Sequence, residues 1–217
     1  PTLCHHPALA GQGCCRVCLV EVDEGHGPKI VVSCVYPIQR ECTVETESER
    51  VRKERGMVLA LLRKRAPDSP RIATLCRIYK APELPRLTPA DTGKCILCGL
   101  CVRACSELSV GAISTVNRGV LKEIATPYHE ASSVCVGCGS CASVCPTQAI
   151  PITETADTRT IWGKTFQLVR CAHCGSVIGT REELELAARR SGQEPETLCK
   201  RCRKVATAQI LADVYGE

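Results

Sequence analysis

Aromatic side chains are nearly missing from this chain. They make up 3% of its 217 residues, with one Trp and one Phe. No core of large rings can be built, and stacking platforms for single-stranded nucleic acid are scarce. Long apolar runs are missing too: the longest, MVLALL at residues 57–62, falls far short of the roughly 20 residues that cross a bilayer. The opening residues, PTLCHHPALA, have neither the basic nor the apolar region of a secretory signal. There is no Gly-rich phosphate loop, dinucleotide fingerprint or nucleophile–base constellation. One-electron transfer is the chemistry within reach, so catalysis is expected on another subunit.

What the chain does have is cysteine, nineteen in all. Small domains short of core volume rely on disulfides or metals. An odd count grouped in CxxC hooks, with no signal, favours metal in a reducing compartment. The expected location is cytoplasmic, either free or docked on the cytoplasmic face of a membrane through partners, with no direct insertion.

The formal charge of +5 suggests nucleic acid. That figure counts every thiol as neutral, whereas metal ligands are thiolates. Three four-thiolate iron–sulfur centres at about −2 each bring the total to about −1. A Zn(Cys)₄ site brings it to about −3. The basic side chains therefore compensate clusters, and no nucleic-acid partner is expected.

Sorted by spacing, sixteen cysteines form four groups of four, leaving Cys14, Cys42 and Cys76 as thiols outside them. LVEV (19–22), KIVVSC (29–34) and ECTVETE (41–47) read as strands around a DEGHGP turn. Ser48 can cap a helix to about Lys64, and a second short helix is expected over residues 71–79. The proline-rich APELPRLTPADTG (81–93) is a connector. STVNRGVLKEI reads as strand–turn–strand, and Thr180 with Glu183 makes a capping box for a helix over residues 180–191. The expected domains are 1–66, a linker and helical segment at 67–93, then 94–157 and 158–217.

CxxCxxCxxxC occurs twice, in KCILCGLCVRAC and VCVGCGSCASVC. Three thiolates spaced by two residues wrap a loop round three corners of a cubane, and the fourth reaches a neighbouring cluster in two-cluster ferredoxins. One [4Fe–4S] is expected on Cys95, Cys98, Cys101 and Cys145, the other on Cys135, Cys138, Cys141 and Cys105. Zinc ribbons need paired hooks, which this pattern does not provide. Pro146 follows Cys145 as usual, but Ser106 follows Cys105. In the first group, Cys4…Cys15-x-x-Cys18…Cys34 suits a [2Fe–2S] centre, with spacing unlike the plant type. His5 and His6 beside Cys4 either tune it or belong to a solvated loop.

The tail pattern, Cys171-x-x-Cys174 and Cys199-x-x-Cys202, is a pair of hooks. Zn(Cys)₄ is its ordinary reading, with a third [4Fe–4S] or mononuclear iron as alternatives. His173 reads as an exposed knuckle residue rather than a ligand.

The order PTLCHHPALAGQGCCRVCLVEV…VVSC, RAPDSPRIATLC, KCILCGLCVRAC, CVGCGSCASVCPTQAI resembles a known family over most of residues 1–152. It is similar to the amino-terminal part of the large iron–sulfur subunit of respiratory complex I. It is also similar to the diaphorase-side iron–sulfur subunits of NAD-linked hydrogenases and formate dehydrogenases. The family hook G-x-C-R-x-C falls on Gly13–Cys18, so the resemblance identifies Cys15 and Cys18 as ligands and makes Cys14 surplus.

The resemblance implies an α+β fold with a β-grasp [2Fe–2S] ferredoxin-like domain and a bacterial-type 2[4Fe–4S] ferredoxin domain, to which the paired hooks add a Cys₄ zinc-ribbon-like tail. It implies a non-catalytic electron-transfer subunit between a flavin- and NAD(P)-binding subunit and a catalytic redox subunit. A free polyferredoxin is the alternative, and a zinc-ribbon nucleic-acid binder a more distant one. Two departures stand out. The family's His-Cys₃ cluster region reads RKRAPDSPRIATLCRIYK, with Cys76 alone, so helical packing is expected there. The opening hairpin and helix of the β-grasp domain are missing before Pro1, through truncation or because a partner completes the sheet.

Overall fold

The computed structural model describes residues 1–88, 93–108 and 110–216, so part of the 81–93 connector lies outside it. The fold is mixed α and β, in two compact units. One comprises Pro1–Ala125 with Ser140–Ile150, the other Thr126–Gly139 with Pro151–Glu217.

In the first unit β1 (Leu19–Asp23), β2 (Lys29–Val32) and β3 (Thr43–Glu45) form an antiparallel sheet in the order β2-β1-β3. Leu19 and Val32 pair across β1 and β2 and are buried on one face of the sheet, while Val22 is buried on the other. α1 (Glu49–Arg65) starts where Ser48 Oγ accepts the Val51 N–H at 3.2 Å. The same hydroxyl donates to Glu21 on β1 at 2.7 Å, which ties cap to sheet. Val51, Arg55, Leu59 and Ala60 share one face of the helix and are buried. α2 (Pro70–Ile78), capped by Ser69 and opened by Pro70, packs on α1.

α3 (Leu100–Glu107) begins at Gly99 and packs on the short α4 (Ser140–Ser143). β4 (Ser114–Val116) and β5 (Glu123–Ala125) pair as a hairpin across residues 117–122, which include a 3₁₀ turn at Gly119–Leu121. Arg65, in the last turn of α1, holds that hairpin through the Val120 and Lys122 carbonyls. The core gathers Leu3, Val17, Leu59, Ile72, Ile96 and Leu100 around Cys4, Cys15 and Cys98.

The second unit contains a sheet that the sequence pattern does not announce. β6 (Ile152–Glu154), β7 (Thr158–Ile161), β8 (Lys164–Arg170) and β9 (Val177–Thr180) form an antiparallel meander. Trp162 and Gly163, both at positive φ, make the two-residue turn between β7 and β8, the geometry that suits strand twist. α5 (Arg181–Ser191) carries the full Thr180–Glu183 capping box and leaves through Gly192. α6 (Lys200–Tyr215) starts with Cys199 at its N-cap position. No helix of the described residues is long and apolar enough to cross a membrane.

Candidate metal centres

The first group of thiols lies where the amino-terminal loop meets β1 and β2. Cys4, Cys15 and Cys18 are buried and Cys34 is half-buried. Cys15 N–H donates to Cys4 Sγ at 3.3 Å, and Ser33 N–H ties to the Cys18 carbonyl at 3.1 Å. Gly11 is needed for the approach: a Cβ there would lie 2.5 Å from the Cys34 carbonyl oxygen.

The electrostatics show how crowded these sulfurs are. Burial, then the neighbouring Cys18 and Cys4, push Cys34 up to about 11. Burial also raises Cys15. It opposes ionisation of Cys18 as well, but hydrogen bonds from Cys34 and Ser33 outweigh it and the thiol falls below its ordinary value. Burial and mutual repulsion oppose ionisation of Cys15 and Cys34, an opposition that a cationic core would lift. Cys14 is exposed beside it, donating to Gln12 at 3.5 Å. His6 Nδ1 accepts a local N–H from Ala8.

Arg55 braces this loop, a role the sequence does not signal. It is 1% exposed and donates to the Val17 carbonyl at 3.0 Å and the Leu19 carbonyl at 2.7 Å, on either side of Cys18. It also reaches the Thr46 carbonyl and Glu47. Its one trace in the sequence is a charge at i+4 from Val51 on the apolar stripe.

Within the first unit Cys95, Cys98, Cys101 and Cys145 come together. Burial raises all of the first three, with Cys98 at about 11 and Cys101 at about 12. The Cys145 thiol adds to the shift of Cys95 and Cys98. Backbone N–H groups point at sulfur: Leu97 to Cys95 at 3.4 Å and Ala149 to Cys145 at 3.2 Å. Ala112 does the same for Cys105 at 3.3 Å. Donors aimed at sulfur favour the thiolate and set cluster potential. The two repeats share backbone geometry: Leu97 and Gly137, like Gly99 and Gly139, all have positive φ.

The loop carrying Cys135 and Cys138 is held from within the second unit by three side chains. Lys164 Nζ takes the Cys135 carbonyl at 2.9 Å, Thr180 Oγ1 the Val136 carbonyl, and Arg159 the Gly137 carbonyl at 2.9 Å. Phe166 packs so close that a Cβ on Gly137 would meet its ring at 2.5 Å.

In the tail, the Sγ atoms of Cys171, Cys174, Cys199 and Cys202 all lie within 4.8 Å of one another. Cys174 and Cys199 are 3.7 Å apart. The first hook sits on the β8–β9 turn, closed by Cys171 N–H to Ser176 at 2.8 Å; the second opens α6. N–H groups of Cys199 and Cys174 pull Cys171 down to about 6, while Cys174 and Cys199 push Cys202 up to about 12. His173 Nδ1 is 3.7 Å from Cys202 Sγ.

A 4Fe-4S dicluster domain matches residues 94–149 and, in a second register, 134–178. Beyond it, the chain is similar to NADP-reducing hydrogenase subunit HndD of Solidesulfovibrio fructosivorans, at 32% identity over 69% of the chain and 31% of that protein. It is 26% identical to an NADH-quinone oxidoreductase subunit of Rhizobium meliloti (strain 1021), over 94% of the chain and 27% of the relative. The chain thus spans about a third or less of these curated relatives. An NAD+-reducing [NiFe]-hydrogenase in the H2-reduced state shares the fold, with a TM-score of 0.55 and 24% identity over 69% of this chain and 73% of that one. The resemblance drawn from the dicluster and hook motifs is therefore met by proteins of the same redox class.

Proposed function

We propose that the chain is an electron-relay segment of a multi-subunit, NAD(P)-linked oxidoreductase. Single electrons pass from a flavin- and NAD(P)-binding subunit, through iron–sulfur centres, to a catalytic redox subunit such as a hydrogenase or formate dehydrogenase. Flow in the opposite sense uses the same centres. A [2Fe–2S] is assigned to Cys4, Cys15, Cys18 and Cys34, in a β-grasp-like domain. One [4Fe–4S] is assigned to Cys95, Cys98, Cys101 and Cys145. By the repeat's spacing, the other goes to Cys135, Cys138, Cys141 and Cys105. The centres supply one-electron carriers whose potentials follow burial and hydrogen bonds to sulfur. The expected location is cytoplasmic.

The observation that carries this reading is the crowding of buried thiols whose ionisation burial opposes, with N–H groups aimed at sulfur. That donor set fits a cationic iron–sulfur core and suits disulfides poorly, since nineteen thiols cannot all pair. For the tail, zinc is favoured by size. A tetrahedral ion with Zn–S of about 2.3 Å sets its sulfurs roughly 3.8 Å apart, against 3.7 Å for Cys174 and Cys199. A four-iron core would hold thiolates farther apart.

Anaerobic purification from the native source, with subunit identification and metal counts, tests the assignment. About ten irons and one zinc per chain are expected, two in the [2Fe–2S] and eight in the cubanes. Co-purification with a flavoprotein supports the relay. A stable free monomer holding every cluster would replace it with a polyferredoxin.

A further inference from the structure

Arg103 sits in α3, two residues after Cys101 and two before Cys105. No ligand spacing calls for it. Its guanidinium reaches back to the amino-terminal loop, where one terminal nitrogen donates to the Cys4 carbonyl at 3.1 Å. The other donates to the Ala10 carbonyl. Both carbonyls belong to the stretch that closes the Cys4–Cys15 side of the first thiol group. The third donor is different. Nε–H of Arg103 is buried and has no hydrogen-bond partner among the described residues.

A buried guanidinium N–H left unmet on a half-buried side chain is costly unless negative charge lies close by. Neither contact supplies that charge, because both partners are neutral carbonyls. The negative charge would come from the thiol groups on either side. Cys4 is fully buried and packs in one core with Cys98, so the first centre and the first cubane site are neighbours. Leu3, Cys4, Cys15, Cys98 and Leu100 belong to one packed core. Once loaded, each of these two sites carries about −2 when oxidised and gains one further negative charge on accepting an electron.

We propose that Arg103 is a positioning residue shared by the [2Fe–2S] centre and the first cubane, whose fixed charge and spare Nε–H stabilise their reduced states. This rests on the cluster assignment proposed for those thiols. The electron comes from the flavin-bearing partner. No proton is needed, because an Arg side chain stays charged in both states. The two carbonyl contacts keep the cation at a constant place relative to the Cys4 loop. Strut and charge are thus one device.

The full chain, matured anaerobically, is compared with Arg103→Gln and Arg103→Lys variants by EPR-monitored redox titration and iron counts. In Arg103→Gln the reduction equilibrium of the [2Fe–2S] centre is expected to fall about tenfold, roughly 59 mV for a one-electron centre. A smaller drop in the same direction is expected at the cubane. Arg103→Lys, which keeps the charge, is expected to stay near the wild-type potential. An unmoved potential in the Gln variant overturns the proposal, and so does an equal shift in both variants. If the Gln variant fails to hold the [2Fe–2S] centre while the Lys variant is unaltered, Arg103 is only a strut, and the proposal again fails. A wild-type chain without a [2Fe–2S] signal would instead sink the cluster assignment itself.

Discussion

Cys14 and Cys15 are adjacent in sequence and opposite in environment. Cys15 is 4% exposed and bonded through its N–H to Cys4 Sγ, whereas Cys14 faces solvent with Gln12 as its partner. Cys14→Ala is therefore expected to keep the [2Fe–2S] EPR signal with full iron content, and Cys15→Ala to lose it. The reverse outcome would shift the hook by one residue. Glu47 gives a second test at this scale. Burial opposes its ionisation, but hydrogen bonds from Arg55 and Arg52 outweigh that and hold its carboxyl below the usual 4.5. Its stabilising contribution is thus complete above about pH 4.5 and drains away as pH falls through the lower folded value. A melting-temperature profile from pH 6 to 3 should drop more steeply for wild type than for Glu47→Gln.

Some residues could be read directly and others could not. Ser48, Thr180 and Glu183 announce caps because a short polar side chain before an apolar periodic run has few other uses. Leu97 gives no such notice. It occupies the left-handed region at φ 54, where only its repeat counterpart Gly137 shows the requirement. Arg55 and Arg103 look like ordinary surface charges on helices until the carbonyls they serve are in place.

At the scale of elements, α1 is a brace as much as a helix. Replacing Arg55 by Gln leaves the Val17, Leu19 and Thr46 carbonyls without their donor, with a cost of about 3 kcal/mol. The Glu47 pair adds little to this, since that carboxylate is half exposed. Thermal unfolding of Arg55→Gln, with loss of [2Fe–2S] absorbance preceding that of the cubanes, is the expected result. On β9, Thr180→Val removes both an N-cap and the donor to the Val136 carbonyl, worth about 2–3 kcal/mol together. The cluster held by the 135–141 loop should then bleach faster in air than the cubane at Cys95–Cys145, with Thr180→Ser restoring it.

The short strands 19–23, 29–32 and 43–45 were legible because β-branched residues cluster between turn formers. The β6–β9 meander was hidden: its first strands, ITE and TRTI, are short and mostly polar, with no alternation to find. α6 went unread although its sixteen residues contain neither Gly nor Pro, because its apolar residues follow no stripe and stay exposed.

For the whole molecule, the metal content decides the charge. The bare chain carries +5, and the loaded one about −3 on the proposed assignment. Chelation in denaturant followed by refolding should therefore move the protein from anion-exchange to cation-exchange retention at neutral pH. Unchanged elution would show that the thiolates are not the counter-charge to the Lys and Arg side chains. The pairing of the two tail hooks was legible, because CxxC spacing is a local property of the chain, and their four Sγ atoms do lie within 4.8 Å of one another. The division into two compact units was not, since the segment at residues 126–139 joins the tail across an intervening stretch.

That division has a consequence in time. The carbonyls of residues 135–137 are held by Arg159, Lys164 and Thr180, the last of them 44 positions downstream of Val136. At about 5–20 residues per second, synthesis reaches Thr180 roughly 2–9 seconds after Val136 is added. Until then the loop exists without its clamp, with its thiols open to oxygen and stray metal. Delivery of iron to this loop is thus best served after the tail sheet is made, and the interval before it is a window for misloading.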